Sequence, residues 1–202
     1  MIPSARYVLA FVINVALPAV SYRMAFPNWG LVGALIASSV PLLAWITFDF
    51  VRLRHFDALS AIVLASLAMS LLLLISPVGR WLRDAREPLV GGFVGVLFLL
   101  SLTVNRPVVF YLARSTLARE KPGRERDFDD MWQSRPALAR SIRLMTAVWG
   151  IGLVGENVVR LYIVGHVVGH DADRLSTMVR YGTYGGLTAW SILYRRAYIK
   201  TR

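Results

Sequence analysis

The chain has 202 residues, 56% of them hydrophobic and 17% charged, with a formal net charge of +11. A water-soluble domain of this size carries about 25% charged residues, so the composition argues against an ordinary soluble enzyme or binding module and for a polypeptide solvated by lipid. There is no cysteine, which removes disulfides, thiolate catalysis and cysteine-ligated metal; the arginines have no aromatic platform or motif that would direct their charge to nucleic acid.

Tyr7–Met24 reads as the first span. Arg6 precedes it, but Asn14, Pro18 and Tyr22 interrupt the apolar run and no small-x-small cleavage site follows, so a retained helix is expected, not a leader peptide. Pro18 is expected to kink it. Ala25–Asn28 leaves room only for a tight hairpin into the second span, Trp29–Phe50, which contains Pro41. Asp49, Arg52, Arg54, His55 and Asp57 form a charged turn at the inner membrane edge. Arginines there can snorkel to lipid phosphate, and Asp57 can cap the third span, Ala58–Ser76. Topogenic anchoring is the main reading of this turn, and a cytoplasmic gate is the alternative. Pro77–Glu87 places Arg80, Arg83 and Arg86 on one helical face, the pattern of a segment lying in the interface.

The fourth span is expected over about 88–104, followed by Asn105-Arg106-Pro107, where Arg106 reads as a further inner-edge anchor. Val108–Leu117 continues as an apolar, interfacial or inward-tilted helix. A polar stretch over about 114–142, with REKPGRERDFDD at its centre, predicts an exposed and poorly ordered cytoplasmic loop. The fifth span, about 143–165, is followed by an exposed outer turn, His166–Arg174, and the sixth covers about 176–198. The fold class is therefore all-α, a six-helix polytopic bundle forming one integral membrane domain. With both termini in the cytoplasm, 16 of the 23 basic residues fall on the inner side, which satisfies the positive-inside rule and faces them toward anionic head groups.

Several short motifs occur in a characteristic order: Asn14…Pro18…Tyr22, Arg52-x-Arg54 with Asp57, Leu100-Ser101…Arg106-Pro107, and Thr146-x-x-Trp149-Gly150 before Glu156-Asn157. In these the chain resembles an uncharacterised bacterial family of six-span inner-membrane proteins, related to the intracellular septation protein A group. The resemblance covers most of the chain. It implies a non-enzymatic role in envelope maintenance or scaffolding, and it brings no established active site and no cofactor.

The residues that most need explaining are Glu156, Asn157 and Arg160, set inside the apolar fifth span. Glu156 and Arg160 are one helical turn apart and share a face, and ionisable groups at that depth must look toward protein or water. One reading is an internal ion pair, joined by Arg180 or Asp173, that locks two helices together. The other is a polar cavity of a small ion or solute channel; Asn14, Pro18 and Tyr22 share a face of the first helix and read either as helix-packing glue or, with Asn14 and Tyr22, as part of that cavity's lining. His166 and His170 are too few to make a metal site with Asp171 and Asp173 in an exposed turn. Gly91/Gly95 and Gly182/Gly186 have the spacing of close helix packing, within the bundle or in a homodimer.

Overall fold

The computed structural model describes residues 12–53, 58–75, 85–120, 123–167 and 170–199. All regular structure among these residues is helical: α1 (Leu17–Leu53, entered by a π turn over Val12–Ala16), α2 (Ala58–Ile75), α3 (Arg86–Leu100, ending in a 3-10 turn over Ser101–Thr103), α4 (Val108–Glu120), α5 (Arg124–Ser134), α6 (Pro136–His166) and α7 (His170–Tyr194, leaving through a π turn over Arg195–Ile199). The chain divides into two compact units, one of Met1–Ser76 with Phe110–Met131, the other of Pro77–Val109 with Trp132–Arg202.

In the first unit α1 packs on α2. The π turn directly precedes Pro18, whose ring would otherwise press on the carbonyl one turn earlier. Ala25–Asn28, expected as a tight hairpin, is helical, and the helix breaks instead at Gly30, the one residue inside α1 with non-helical dihedrals (φ 63, ψ −166). That left-handed φ is open to glycine and strained for a residue with a Cβ, so the helix runs on through Pro27 until a glycine allows the break. Residues from both arms, including Ser21, Met24, Val40 and Pro41, then line one apolar groove of about 490 Å³.

The segment expected to be a poorly ordered loop is largely helical: α4 extends to Glu120, α5 covers Arg124–Ser134, and α6 begins at Pro136. Gly123, with φ 97, makes the turn. Phe110, fully buried, stacks on Phe128 with ring centroids 5.2 Å apart, and Arg114 Nε donates to both carboxylate oxygens of Asp129 at 3.0 and 3.2 Å. One pair of the mixed charges that suggest disorder in sequence, Arg114 with Asp129, thus joins the two helices, and Glu125 and Asp127 suit the first turn of α5.

In the second unit α6 is the central helix, packed on α3 and α7. Both pairings are antiparallel. Along α3 the contacts run from Glu87–Arg160 through Gly91–Asn157 and Gly95–Val154 to Leu99–Gly150. Along α7 they run from Ser176–Arg160 through Leu187–Gly152 and Ser191–Trp149 to Tyr194–Ser141. The expected outer turn His166–Arg174 is short, because His170 already begins α7, with Asp171 and Asp173 in its first turn, where the helix dipole favours acids.

Among the described residues, three helical stretches are long and apolar enough to cross a membrane: Leu17–Trp45, Arg86–Thr103 and Pro136–His166. Leu59–Leu74 is apolar but shorter. By length and composition this supports a membrane protein.

Candidate functional site

Three helices bring polar side chains to one end of the second unit. α6 presents Glu156, Asn157 and Arg160 from successive positions of its buried stripe. α7 contributes Ser176 and Arg180, and the first turn of α3 contributes Glu87. The side chains of Glu156 and Arg160 are 1% and 5% exposed.

The i,i+4 pair expected from sequence forms, but it is the weaker contact. Arg160 Nη1 lies 3.4 Å from Glu156 Oε1 and 3.4 Å from Asn157 Oδ1. Its short, charge-assisted bond runs from Nη2 to Glu87 Oε2 at 2.6 Å, while Nε donates to Ser176 Oγ at 2.8 Å. The other oxygen of Glu87 accepts from Arg180 Nη1 at 2.5 Å. Glu87 therefore bridges two arginines, one from α6 and one from α7. With Glu156 the cluster holds two acids and two guanidinium groups, so the charges balance.

Asn157 completes the arrangement. Its Nδ2 donates to Leu153 O at 2.7 Å and to Glu156 Oε2 at 3.3 Å. The amide fits against α3 only because residue 91 is glycine: a Cβ there would stand 2.6 Å from Asn157 Oδ1, and one on Gly95 would stand 2.8 Å from Val154 N. The Gly91/Gly95 spacing is thus used inside the chain, to let α3 approach α6. Around Gly182 and Gly186 a Cβ would meet nothing within 4 Å.

The opposite end of this unit is tied differently. Arg143 Nη1 donates to Leu102 O at 3.0 Å, and Nη2 to Val104 O and Asn105 O at 3.1 and 3.2 Å. These carbonyls lie at and just beyond the end of α3, where the helix has no partners of its own to offer. Ser101 Oγ donates to Phe98 O and accepts from Val108 N, so it closes α3 and opens α4.

The structure thus brings Glu156, Asn157, Arg160 and Arg180 together, and adds Glu87 and Ser176, which sequence reasoning missed. Asp173, offered as a partner, is exposed at the start of α7. Tyr22 lies on α1 in the first unit, where its ring stacks on Phe26. Asn14 falls in the π turn and Asp49 and Arg52 near the end of α1, with their side chains outside the described residues; Arg54, His55, Asp57, Arg80 and Arg83 lie wholly outside them. Arg106 is half-buried beside the fully buried Pro107. His166 has its Nδ1 3.0 Å from Tyr162 O and its ring on Tyr162, and the side chain of His170 is outside the described set.

The chain matches no protein-family model, no curated protein and no solved structure.

Proposed function

We propose that this is a non-enzymatic multi-pass protein of the bacterial inner membrane, acting in envelope maintenance or scaffolding as its resemblance to the septation protein A group implies. The six-span reading, with both termini cytoplasmic, takes the two arms of α1 on either side of Gly30 as separate spans, and α2 and α7 as crossing segments beside the apolar stretches of α3 and α6.

One observation carries the proposal: the polarity of the second unit is inverted. Charged Glu156 and Arg160 are buried, while Ile151, Val158 and Leu193 are 64%, 59% and 64% exposed. Water would disfavour such apolar exposure, whereas hydrocarbon accepts it and drives ions inward. Within that interior the carboxylate of Glu156 is held by Arg160 and Asn157, an arrangement that supports a helix lock over a permeation path.

The test pairs Glu156→Gln with wild type in detergent unfolding and in a vesicle flux panel for ions and small solutes. A helix lock predicts a variant that unfolds more readily, and wild-type vesicles no leakier than empty ones. A variant as stable as wild type that loses a flux shown by wild type would overturn the proposal in favour of a small channel or transporter.

A further inference from the structure

We propose that Arg160 and Arg180 form a binding site for a small monocarboxylate, and that Glu87 is its built-in, displaceable occupant. The proposal stands on the charge geometry of the second unit and is independent of the number of spans.

The Arg160 half of the receiving site has partners besides Glu87. Arg160 is 5% exposed and its guanidinium is oriented by Ser176, Glu156 and Asn157, so Nη2 stays aimed at the same point whether or not a carboxylate is present. Arg180 supplies the second donor from α7, with its guanidinium 5.2 Å from the Tyr181 ring centroid. Two donors from separate helices, each meeting a different oxygen of one carboxylate, define a seat with the shape of a carboxylate group.

The occupant, by contrast, stands at the surface, although both of its oxygens are bound. The Glu87 side chain is 62% exposed and springs from the first turn of α3, so it can swing outward, and what its departure uncovers is the Arg160 guanidinium itself. Its departure leaves Arg160, Arg180 and Glu156, a net charge of +1 that a single monoanion neutralises. The vacated place also lies by the amino-terminal turn of α3, whose dipole favours negative charge. Arg180 is about one-third exposed, so the seat can be reached from the end of the unit. A free monocarboxylate therefore competes with an internal carboxylate for the same two arginines, and its binding releases the start of α3 from α6 and α7.

The absence of cysteine from the 202 residues permits a direct test in this chain, in detergent or vesicles. In Glu87→Cys, the thiol should react about tenfold faster with an anionic methanethiosulfonate than with a cationic one, after correction for their rates with a free thiol. Formate or acetate should slow the anionic reagent saturably, at constant ionic strength, where chloride does not. Adding Arg180→Ala should abolish both the preference and the protection. In parallel, Glu87→Ala should unfold at lower temperature than wild type and regain stability saturably with formate, and wild type should need a higher formate concentration to respond. Equal rates for the two reagents, or protection by chloride as good as by formate, would overturn the proposal. So would unchanged behaviour when Arg180 is removed. If the alanine variant fails to accumulate, the thiol measurements decide alone.

Discussion

The two ends of the second unit solve one problem in two ways. Each end ties α3 to α6 with an arginine of α6, and Arg143 and Arg160 stand at similar distances, roughly two turns, from the ends of that helix. Arg160 is buried and is met by two carboxylates, while Arg143 is half-buried and is met by three backbone carbonyls. A guanidinium cut off from solvent keeps its charge cheaply only beside a counter-charge. One that still reaches water or lipid phosphate can use its donors on neutral oxygens. Exposure, more than distance along the helix, decides which arginine needs an acid.

The largest effect should come from breaking the buried end. Arg160→Met leaves Glu156 enclosed without its cation and is expected to cost about 3–5 kcal/mol in detergent unfolding. Combining it with Glu156→Gln should recover a sizeable part, since the loss comes from an uncompensated charge; no recovery would show that the loss lies in shape instead. A smaller effect should follow from Gly91→Ala, whose Cβ would meet the Asn157 amide. Overpacking of this kind costs about 1–3 kcal/mol, and a double-mutant cycle with Asn157→Ala should show strong coupling. Gly182→Ala, with open space around it, should change stability by no more than about 0.5 kcal/mol. Equal losses at Gly91 and Gly182 would remove the argument for close approach.

The buried end was partly legible in sequence. Ions inside an apolar run must find one another, and that alone directs attention to Glu156, Asn157, Arg160 and Arg180. It cannot rank partners. The one-turn spacing favours Glu156, yet the short bond goes to Glu87, distant in sequence, because antiparallel packing brings the start of α3 to that level of α6. The only local signal for Glu87 was an acid just before Pro88 at the mouth of an apolar run, a helix-start pattern that also fits a residue in the interface. In sequence Arg143 stands where the polar stretch meets the fifth span, and nothing in its neighbours shows that carbonyls 102, 104 and 105 converge on it. Local chemistry misled at α5 for a related reason: charge density suggests disorder until pairing of Arg114 with Asp129 and stacking of Phe110 on Phe128 are known. The short link Ala25–Asn28 points to a hairpin a few residues before the actual break, because Pro27 is accommodated within the helix and the break needs the positive φ of Gly30.

Apart from the Gly182 control, the smallest effect should come from the half-buried end. Arg143 spans three carbonyls with one planar fork, a geometry that the single ammonium of lysine cannot reproduce. Water can still reach part of this surface and replace what is lost, so Arg143→Ala should cost about 1 kcal/mol, and Arg143→Lys should recover less than half of it. The loss should be local. Hydrogen exchange should quicken at the amides of Val104 and Val108, whose bonds to Ser101 hold the turn that Arg143 clamps, and should stay unchanged around Asn157. An Arg143→Ala loss as large as that of Arg160→Met would mean that exposure does not separate the two arginines, and the contrast between the ends of this unit would have to be sought in their partners' backbone rather than in the burial of charge.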